Sequence, residues 1–194
     1  IYEDLAWLGL TWPDLVRRQS DHDADYEAVL ERLAALDLLY PCSCTRRQIV
    51  AAGATPGADG MVYPGTCRHR KVAARAPGDA VRLNLARALA LLPGKLHYRE
   101  TGGDTQGIRC IEAHDLLTNI GDPILKRKDT GDPAYHLACV HDDALQEVTH
   151  VVRGTDLQDL TPLHVLLQGV LGNPTPIYRH RGLITDEAGT RLAK

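Results

Sequence analysis

The stretch that decides the fold runs from residue 132 to residue 154: Asp132-Pro-Ala-Tyr-His-Leu-Ala-Cys-Val-His-Asp-Asp143, followed by Ala-Leu-Gln-Glu-Val148-Thr-His-Val-Val-Arg-Gly154. The apolar runs 134–140 and 148–152 predict two β-strands. Thr161-Pro162 then predicts a helix start with proline at the first position, and Gly172 predicts its end. Strands that alternate with helices are typical of an α/β sheet. The sequence therefore predicts an α/β fold.

The segments before this stretch extend the same pattern. Ser20-Asp-His-Asp23 has the spacing of a capping box, and the apolar positions from Tyr26 to Leu38 predict one helix. The alternating residues 81–85 and the segment 124–128 predict strands, and the Gly-containing segment 94–111 predicts a hairpin or an irregular loop. Helices and strands thus alternate along most of the chain.

Composition excludes several classes of protein. Of the 194 residues, 44% are hydrophobic and 24% are charged, which is typical of a globular protein. The net charge of -3 excludes a general polycation, so nucleic acid could be bound only by local patches. No apolar run is long enough to span a membrane. Five cysteines without a leader sequence favour a reducing, cytoplasmic location, and Cys110 and Cys139 are expected to be buried.

A cysteine cluster predicts a metal site. Cys42 and Cys44 are followed, after a Gly- and Pro-rich loop, by Tyr63-Pro-Gly-Thr-Cys67-Arg-His69. Thiolates are soft ligands, and a tetrahedral zinc could hold a loop that has little apolar core. From the residues alone the fourth ligand is open, because His69 is the usual choice and Tyr63 could bind only as a phenolate.

Three features of the C-terminal half predict a substrate site. Tyr135 is expected just before a strand, and Arg153 is expected at the end of another strand, where α/β proteins bind ligands. An arginine can grip a carboxylate through two hydrogen bonds, and a tyrosine hydroxyl can orient a polar group. The segment 189–194 carries Arg191 and Lys194, which could neutralise a polyphosphate.

Together these segments resemble the glutamyl-tRNA synthetase family of class I aminoacyl-tRNA synthetases. The stretch quoted above and Thr161-Pro-Leu-His-Val-Leu-Leu167 match a family signature in order and spacing. Arg191-Leu-Ala-Lys194 falls where the family has its KMSKS-type loop. The segment Tyr40-Pro-Cys-Ser-Cys-Thr-Arg-Arg47, with Tyr63 and Cys67, is more specifically similar to the short paralogues called glutamyl-Q tRNA(Asp) synthetases.

The resemblance implies a partial class I Rossmann-type catalytic domain with a zinc-binding insertion. Residues 1–40 would be part of the catalytic domain, 41–79 the insertion, and 80–194 the remainder up to the KMSKS-type loop. The implied activity is ATP-dependent activation of glutamate and transfer of the glutamyl group to queuosine in the anticodon loop of tRNA(Asp). Glutamate, ATP with Mg²⁺ and this tRNA are the implied partners, and a monomer is expected.

The resemblance also implies roles for individual residues. Tyr135 and Arg153 would bind glutamate, and Lys194 would be catalytic. Lys194 would also bind ATP together with Arg191. The implied structural zinc, one per chain, would have four ligands, among which tyrosine replaces the more usual histidine: Cys42, Cys44, Tyr63 and Cys67.

The chain departs from the family pattern in two places. Within the KMSKS-type loop, Arg191 replaces the first lysine and Ala193 replaces a serine. The HIGH-type motif, which binds the ATP phosphates at a helix N-terminus, would precede Ile1. The 194 residues are therefore expected to be the middle of a longer enzyme and not to activate glutamate by themselves. Two alternatives are the catalytic core of an ordinary glutamyl-tRNA synthetase and a non-catalytic, zinc-stabilised RNA-binding module. The second alternative is favoured by three basic clusters: Arg68/Arg70/Lys71, Lys126/Arg127/Lys128 and Arg179/Arg181.

Overall fold

A computed structural model describes residues 1–12, 16–103 and 106–192 of the protein. Its helices, in chain order, are α1 (Tyr2–Trp7), α2 (Asp23–Ala35), α3 (Arg46–Ala51), α4 (Leu85–Leu91), α5 (Ala113–Asn119), α6 (Tyr135–Leu145) and α7 (Thr161–Leu171). Its strands are β1 (Leu39–Cys42), β2 (Thr55–Gly57), β3 (Gly60–Val62), β4 (Ala80–Leu83), β5 (His97–Glu100), β6 (Gly107–Cys110), β7 (Ile124–Lys126), β8 (His150–Gly154) and β9 (Ile177–Arg181). The predicted α/β class is confirmed.

The strands form three separate sheets. An antiparallel sheet has the order β1-β4-β7, and β2 and β3 form a hairpin of their own. The third sheet has the order β6-β5-β9-β8; β9 runs parallel to both of its neighbours, and β6 pairs with β5 in the antiparallel sense. The predicted hairpin within 94–111 is therefore confirmed. Strand β8 lies at the edge of this sheet, with its carboxyl end at Arg153 and Gly154.

The main core lies between the β1-β4-β7 sheet and several helices, some of which precede its strands in the sequence and some of which follow them. Helix α2 contributes Tyr26, Val29, Leu30 and Leu33, which follow the predicted helical face. Helices α6 and α7 pack on each other and bury most of their apolar residues in the same cluster. Helix α7 begins at Thr161 with Pro162 in its first turn and ends at Gly172, which has φ +70°, as the sequence predicted.

The strand predicted over 134–140 is wrong, because these residues begin helix α6. The buried apolar side chains of this helix are Leu137, Ala138 and Val140, and neighbouring residues 137 and 138 share the buried face. A strand would send them to opposite faces of a sheet, whereas a helix can bury both. Only Val140 in this run is β-branched, so the intrinsic preference for a strand is weak. Tyr135 consequently lies in the first turn of a helix.

The capping box predicted at Ser20 is also wrong. Helix α2 begins after His22, which makes no side-chain capping bond, and the hydroxyl of Ser20 donates to Asp21 instead. A capping box exists at α3, where the hydroxyl of Thr45 accepts a hydrogen bond from the backbone of Gln48. The Gln48 side chain in turn accepts one from the backbone of Thr45. This box fixes the chain just after the Cys42-Ser-Cys44 motif.

Two predictions about cysteine burial are corrected. Cys110 is exposed, because it ends edge strand β6, all of whose residues are exposed. Cys139 is only partly buried, and it lies on α6 rather than on a strand. In the part of the chain that the structure describes, no helix is both long and apolar enough to cross a membrane.

Candidate functional site

Arg153 lies near the end of β8 and is held by side chains from three directions. Its Nε donates to Nε2 of His180 at 3.1 Å, and its Nη2 donates to the hydroxyl of Thr161 at 2.8 Å. Its Nη1 lies 3.1 Å from Nδ1 of His164. The guanidinium group also lies over the ring of Tyr178, 5.3 Å from its centroid. These bonds use one N–H on each nitrogen, so each terminal nitrogen carries one further N–H.

Tyr135 lies close to this arginine through shared neighbours. Its ring is 5.8 Å from the ring of His164, whose Nδ1 contacts Arg153. Tyr135 is half exposed, and partial burial raises the pKa of its phenol, so the hydroxyl stays protonated at neutral pH. The two residues predicted to bind glutamate are thus brought together, although the sequence placed Tyr135 before a strand.

The predicted ATP-binding loop is described only in part. Lys194 and Ala193 lie outside the described residues. Arg191 is placed, and its Nη1 lies 2.8 Å from a carboxylate oxygen of Asp156. Asp156 follows β8 directly, within the 3₁₀ helix Thr155–Leu160. The ion pair therefore places the start of the predicted ATP-binding loop near the strand end that carries Arg153.

The sulfur atoms of Cys42, Cys44 and Cys67 lie within 4.8 Å of one another. The hydroxyl of Tyr63 lies 3.4 Å from the sulfurs of both Cys42 and Cys44, and the sulfurs of Cys44 and Cys67 are 3.5 Å apart. A tetrahedral zinc with ordinary bond lengths would place two sulfurs about 3.8 Å apart and a sulfur and an oxygen about 3.5 Å apart. The cluster fits one such ion without a change of fold.

The surroundings of this cluster distinguish its four members from His69. Tyr63 and Cys67 are buried, whereas His69 is exposed and its nitrogens are not part of the group. Burial raises the pKa of the Tyr63 phenol. Burial also opposes ionisation of Cys67, but its hydrogen bonds with Tyr63 and Cys44 outweigh this effect and lower the pKa of the Cys67 thiol. The guanidinium group of Arg82 lies 4.0 Å from the centroid of the Tyr63 ring, where its charge favours a phenolate.

The two ends of the segment that carries the cluster lie side by side on neighbouring strands. Cys42 at the end of β1 is paired with Ala80 at the start of β4. Between them, the β2–β3 hairpin packs on the end of α5, where the backbone N–H of Ala58 donates to the carbonyl of Asn119. A groove of about 940 Å³ lies beside the hairpin, and both Cys44 and Tyr135 line it. The cysteine cluster and the predicted substrate residue therefore border the same groove.

Several functional candidates were missed by sequence reasoning. His136, His164 and His180 are buried, and all three lie in or next to the network around Arg153. Glu100, also buried, accepts a hydrogen bond from Nδ1 of His180 at 2.6 Å. Histidines on an apolar helix face carry no signal of their own in the sequence. The available signal was position alone: His136 directly follows Tyr135, and His164 lies three residues after Thr161.

The basic residues that favoured an RNA-binding module are largely occupied by carboxylates. Arg68 contacts the buried Asp122, and Arg70 contacts Asp79 at 2.8 Å. Lys126 forms an ion pair with Glu27. Cations that are paired in this way are less available to phosphates, so these clusters give the binding-module alternative little support.

Comparison with known proteins shows that the chain is similar to tRNA synthetases of class I. Residues 111–194 match the family model of the class I tRNA synthetases (E and Q), catalytic domain. The whole chain is 43% identical to the glutamyl-Q tRNA(Asp) synthetase of Rhodobacter capsulatus and covers 71% of it. It is 42% identical to that of Thiobacillus denitrificans and covers 60% of it. The crystal structure of glutamate-tRNA synthetase from Elizabethkingia anophelis shares the fold, with a TM-score of 0.70 at 22% identity over 98% of this chain and 41% of that one.

The chain spans between 58% and 71% of the length of the three curated relatives with 41–43% identity, and each match covers all of this chain. The Rhodobacter capsulatus relative is matched over more than two thirds of its length. On this evidence the chain belongs to the family of glutamyl-Q tRNA(Asp) synthetases.

Proposed function

We propose that the protein activates glutamate with ATP and transfers the glutamyl group to queuosine in the anticodon loop of tRNA(Asp). The observation that carries the proposal is the 43% identity to a glutamyl-Q tRNA(Asp) synthetase over the whole chain. In the first step a glutamate carboxylate oxygen attacks the α-phosphorus of ATP, and pyrophosphate leaves with the electrons of the broken P–O bond. In the second step a hydroxyl of queuosine attacks the glutamyl carbonyl, and AMP leaves.

Within this reaction, Arg153 and Tyr135 bind glutamate. The two N–H groups of Arg153 that remain free of the contacts described above suit one carboxylate. The protonated hydroxyl of Tyr135, half exposed in the groove, suits a second polar group of the amino acid. Neither residue moves a proton in this scheme. Their contribution is to hold glutamate so that its reacting carboxylate faces ATP.

The KMSKS-type loop neutralises the phosphate charge. Lys194 is the catalytic cation, and Arg191 contributes a second charge. In the structure Arg191 is paired with Asp156, so it has to exchange this carboxylate for a phosphate when ATP binds. Mg²⁺ would accompany the nucleotide, as in class I synthetases generally.

We also propose a structural zinc held by Cys42, Cys44, Tyr63 and Cys67, one per chain, in an insertion formed by residues 41–79. The donor set and its spacing suit a tetrahedral ion, and the lowered pKa of Cys67 favours its thiolate. The zinc ties together a segment whose hairpin is mostly exposed. The catalytic domain then comprises 1–40 and 80–194, and the protein acts as a cytoplasmic monomer.

Aminoacylation by the complete gene product tests the function. Glutamate-dependent ATP–pyrophosphate exchange is expected, followed by transfer of labelled glutamate to tRNA(Asp) that contains queuosine. Queuosine-free tRNA(Asp) is the matched control and should accept none. Charging of tRNA(Glu) in place of tRNA(Asp) would contradict the proposal and would indicate an ordinary glutamyl-tRNA synthetase.

Metal analysis tests the zinc site. About one zinc per chain is expected in the purified protein. Tyr63→Phe should weaken zinc retention against a chelator, whereas His69→Ala, its matched control, should leave retention unchanged. The opposite pattern would move the fourth ligand to His69, and freely titrating thiols at Cys42, Cys44 and Cys67 in fresh protein would remove the site.

A further inference from the structure

The hydrogen bonds of Arg153 fix where the protons of its neighbouring histidines lie. A guanidinium group can only donate, so Nδ1 of His164, 3.1 Å from Nη1 of Arg153, has to accept. A neutral imidazole then carries its proton on the other nitrogen, so Nε2 of His164 is the donor. Burial, followed by the charge of Arg153, lowers the pKa of His164 well below its ordinary value, which agrees with a neutral ring.

The same argument applies to the next contacts, which lead from His164 toward the protein surface. Nε2 of His164 lies 3.0 Å from Nδ1 of His136, which therefore accepts. Nε2 of His136 then carries the proton and lies 3.2 Å from a carboxylate oxygen of Asp59. Three hydrogen bonds thus connect Arg153 through the buried rings of His164 and His136 to Asp59, and in each bond the donor is on the side of Arg153. The Asp59 side chain is about one-third exposed. We call His136 and His164 the histidine bridge.

The other side of Arg153 is constrained in the same way. Its Nε donates to Nε2 of His180, so Nδ1 of His180 carries the proton and donates to Glu100. The other carboxylate oxygen of Glu100 accepts from the backbone N–H groups of His180 and Gly102. These contacts hold the carboxylate ionised, and they lower its pKa against the opposing effect of burial. Arg153 therefore donates hydrogen bonds to two imidazole rings, those of His164 and His180.

We infer that the histidine bridge is a positioning device that connects Asp59 in the β2–β3 turn to the substrate-binding face of Arg153. The inference rests on the proposed role of Arg153 in binding glutamate. Asp59 lies between β2, which ends at Gly57, and β3, which begins at Gly60, so the far end of the bridge belongs to the segment that carries the cysteine cluster. His136 and His164 act through Arg153 and touch no substrate.

The alternative arrangement of protons is excluded by the contacts themselves. An additional proton on His136 would place an N–H opposite Nε2 of His164. His164 would then have to accept at Nε2 and donate at Nδ1, directly toward a donor of Arg153. Only one set of tautomers satisfies every contact from Asp59 to Arg153, and that set aims acceptors at the guanidinium.

Nitrogen-15 NMR of histidine-labelled, full-length protein tests the proton positions without any activity measurement. At neutral pH we expect His136 and His164 as neutral tautomers protonated at Nε2, and His180 protonated at Nδ1. Single His→Gln variants assign these signals among the nine histidines of the chain. A His164 ring protonated at Nδ1, or doubly protonated, would overturn the inference.

Kinetics of glutamate-dependent ATP–pyrophosphate exchange by the full-length protein test the positioning role. His164→Leu removes the acceptor beside Arg153 and should raise KM for glutamate about tenfold or more with little change in kcat, because uniform binding is lost. His164→Asn offers an oxygen close to the position of Nδ1 and should restore most of the affinity. His114→Leu, on the exposed face of α5, is the matched control and should leave both constants unchanged.

The far end of the bridge is tested by Asp59. Asp59→Ala should raise KM for glutamate about threefold, as expected for a partly exposed hydrogen bond, whereas Asp59→Asn, which keeps an acceptor oxygen, should remain near the wild type. An unchanged KM in His164→Leu would overturn the positioning role, and an unchanged KM in Asp59→Ala would overturn the connection to Asp59.

Failure of the proposed function gives a different result. If Arg153→Ala leaves KM for glutamate unchanged, Arg153 does not bind glutamate, and the bridge has no substrate residue to position. The NMR tautomers would then still show whether the bonded chain from Asp59 to Arg153 exists. The expected tautomers together with a raised KM in Arg153→Ala, but not in His164→Leu, would overturn the inference and leave the proposed function standing.

Discussion

Replacing Asp122 by alanine is expected to lower the free energy of unfolding by about 3–6 kcal/mol. Asp122 follows α5 and is only 1% exposed. One of its carboxylate oxygens accepts from the hydroxyl of Tyr40 and from Nε of Arg68, and the other accepts from the backbone N–H of Leu85, at the start of α4. The carboxylate thus joins strand β1, helix α4 and the cysteine-bearing segment.

The magnitude follows from these three contacts. Tyr40 and Leu85 are buried, and each hydrogen bond to a charged acceptor contributes about 1.5–3 kcal/mol. Burial raises the pKa of the Tyr40 phenol, so its hydroxyl stays a donor that needs a partner. The Arg68 side chain is 39% exposed, so water replaces much of its lost contact and it adds little. Two buried bonds therefore account for the sum.

Urea unfolding of the full-length protein, as purified, measures the effect. At an m-value of about 2 kcal/mol/M the midpoint should fall by about 1.5–3 M. Asp129→Ala is the matched control, because Asp129 also pairs with an arginine side chain but is exposed, and its loss should cost less than about 1 kcal/mol. Equal midpoints for the two variants would refute the reasoning.

Three further perturbations have defined outcomes. Thr45→Ala should lower the free energy of unfolding by about 1 kcal/mol, as judged by urea midpoints, whereas Ser20→Ala, which caps nothing, should cost less than about 0.5 kcal/mol. Burial holds the pKa of His164 below that of the unfolded chain, so unfolding takes up a proton in acid. Stability should therefore be lost as pH falls below about 6.5, and less steeply in His164→Gln, as measured by unfolding at pH 7.5 and 5.5. Asp156→Asn weakens the pairing with Arg191 and should lower KM for ATP about twofold in pyrophosphate exchange; a higher KM would contradict this.

The parts of the fold that could be predicted are those with local signals. Strand β8 is rich in valine, and α7 has a proline in its first turn and a glycine with positive φ at its end. The run 134–140 failed because a short apolar run has no clear period, and both a buried strand and a buried helix accept it. The capping box at Ser20 failed because the spacing was present but the helix begins three residues later.

In the candidate site, too, some features could be predicted from the sequence and others could not. Tyr135, Arg153 and the cysteine cluster were predicted from the residues themselves, and the resemblance then implied their roles. The contacts of Arg153 were not, because His164 and His180 come from different elements, and Glu100 is 80 residues away from His180 in sequence. Which ring accepts and which donates depends on pairwise geometry, and no periodicity or motif in the sequence encodes it.

The position of the β2–β3 hairpin affects both the cysteine cluster and Arg153. The hairpin strands are short and mostly exposed, so their own core is too small to place them. Their position depends on contacts at the edges of the segment: Tyr63 beside the cysteines, Arg68 on Asp122, and Asp59 on His136. The main apolar core lies elsewhere, around α2, α6 and α7, and Ala58 is the residue of this hairpin that packs against it. A metal at the cysteine cluster would therefore act on Arg153 by holding Asp59 in place, while the stability of the main core would depend on it much less.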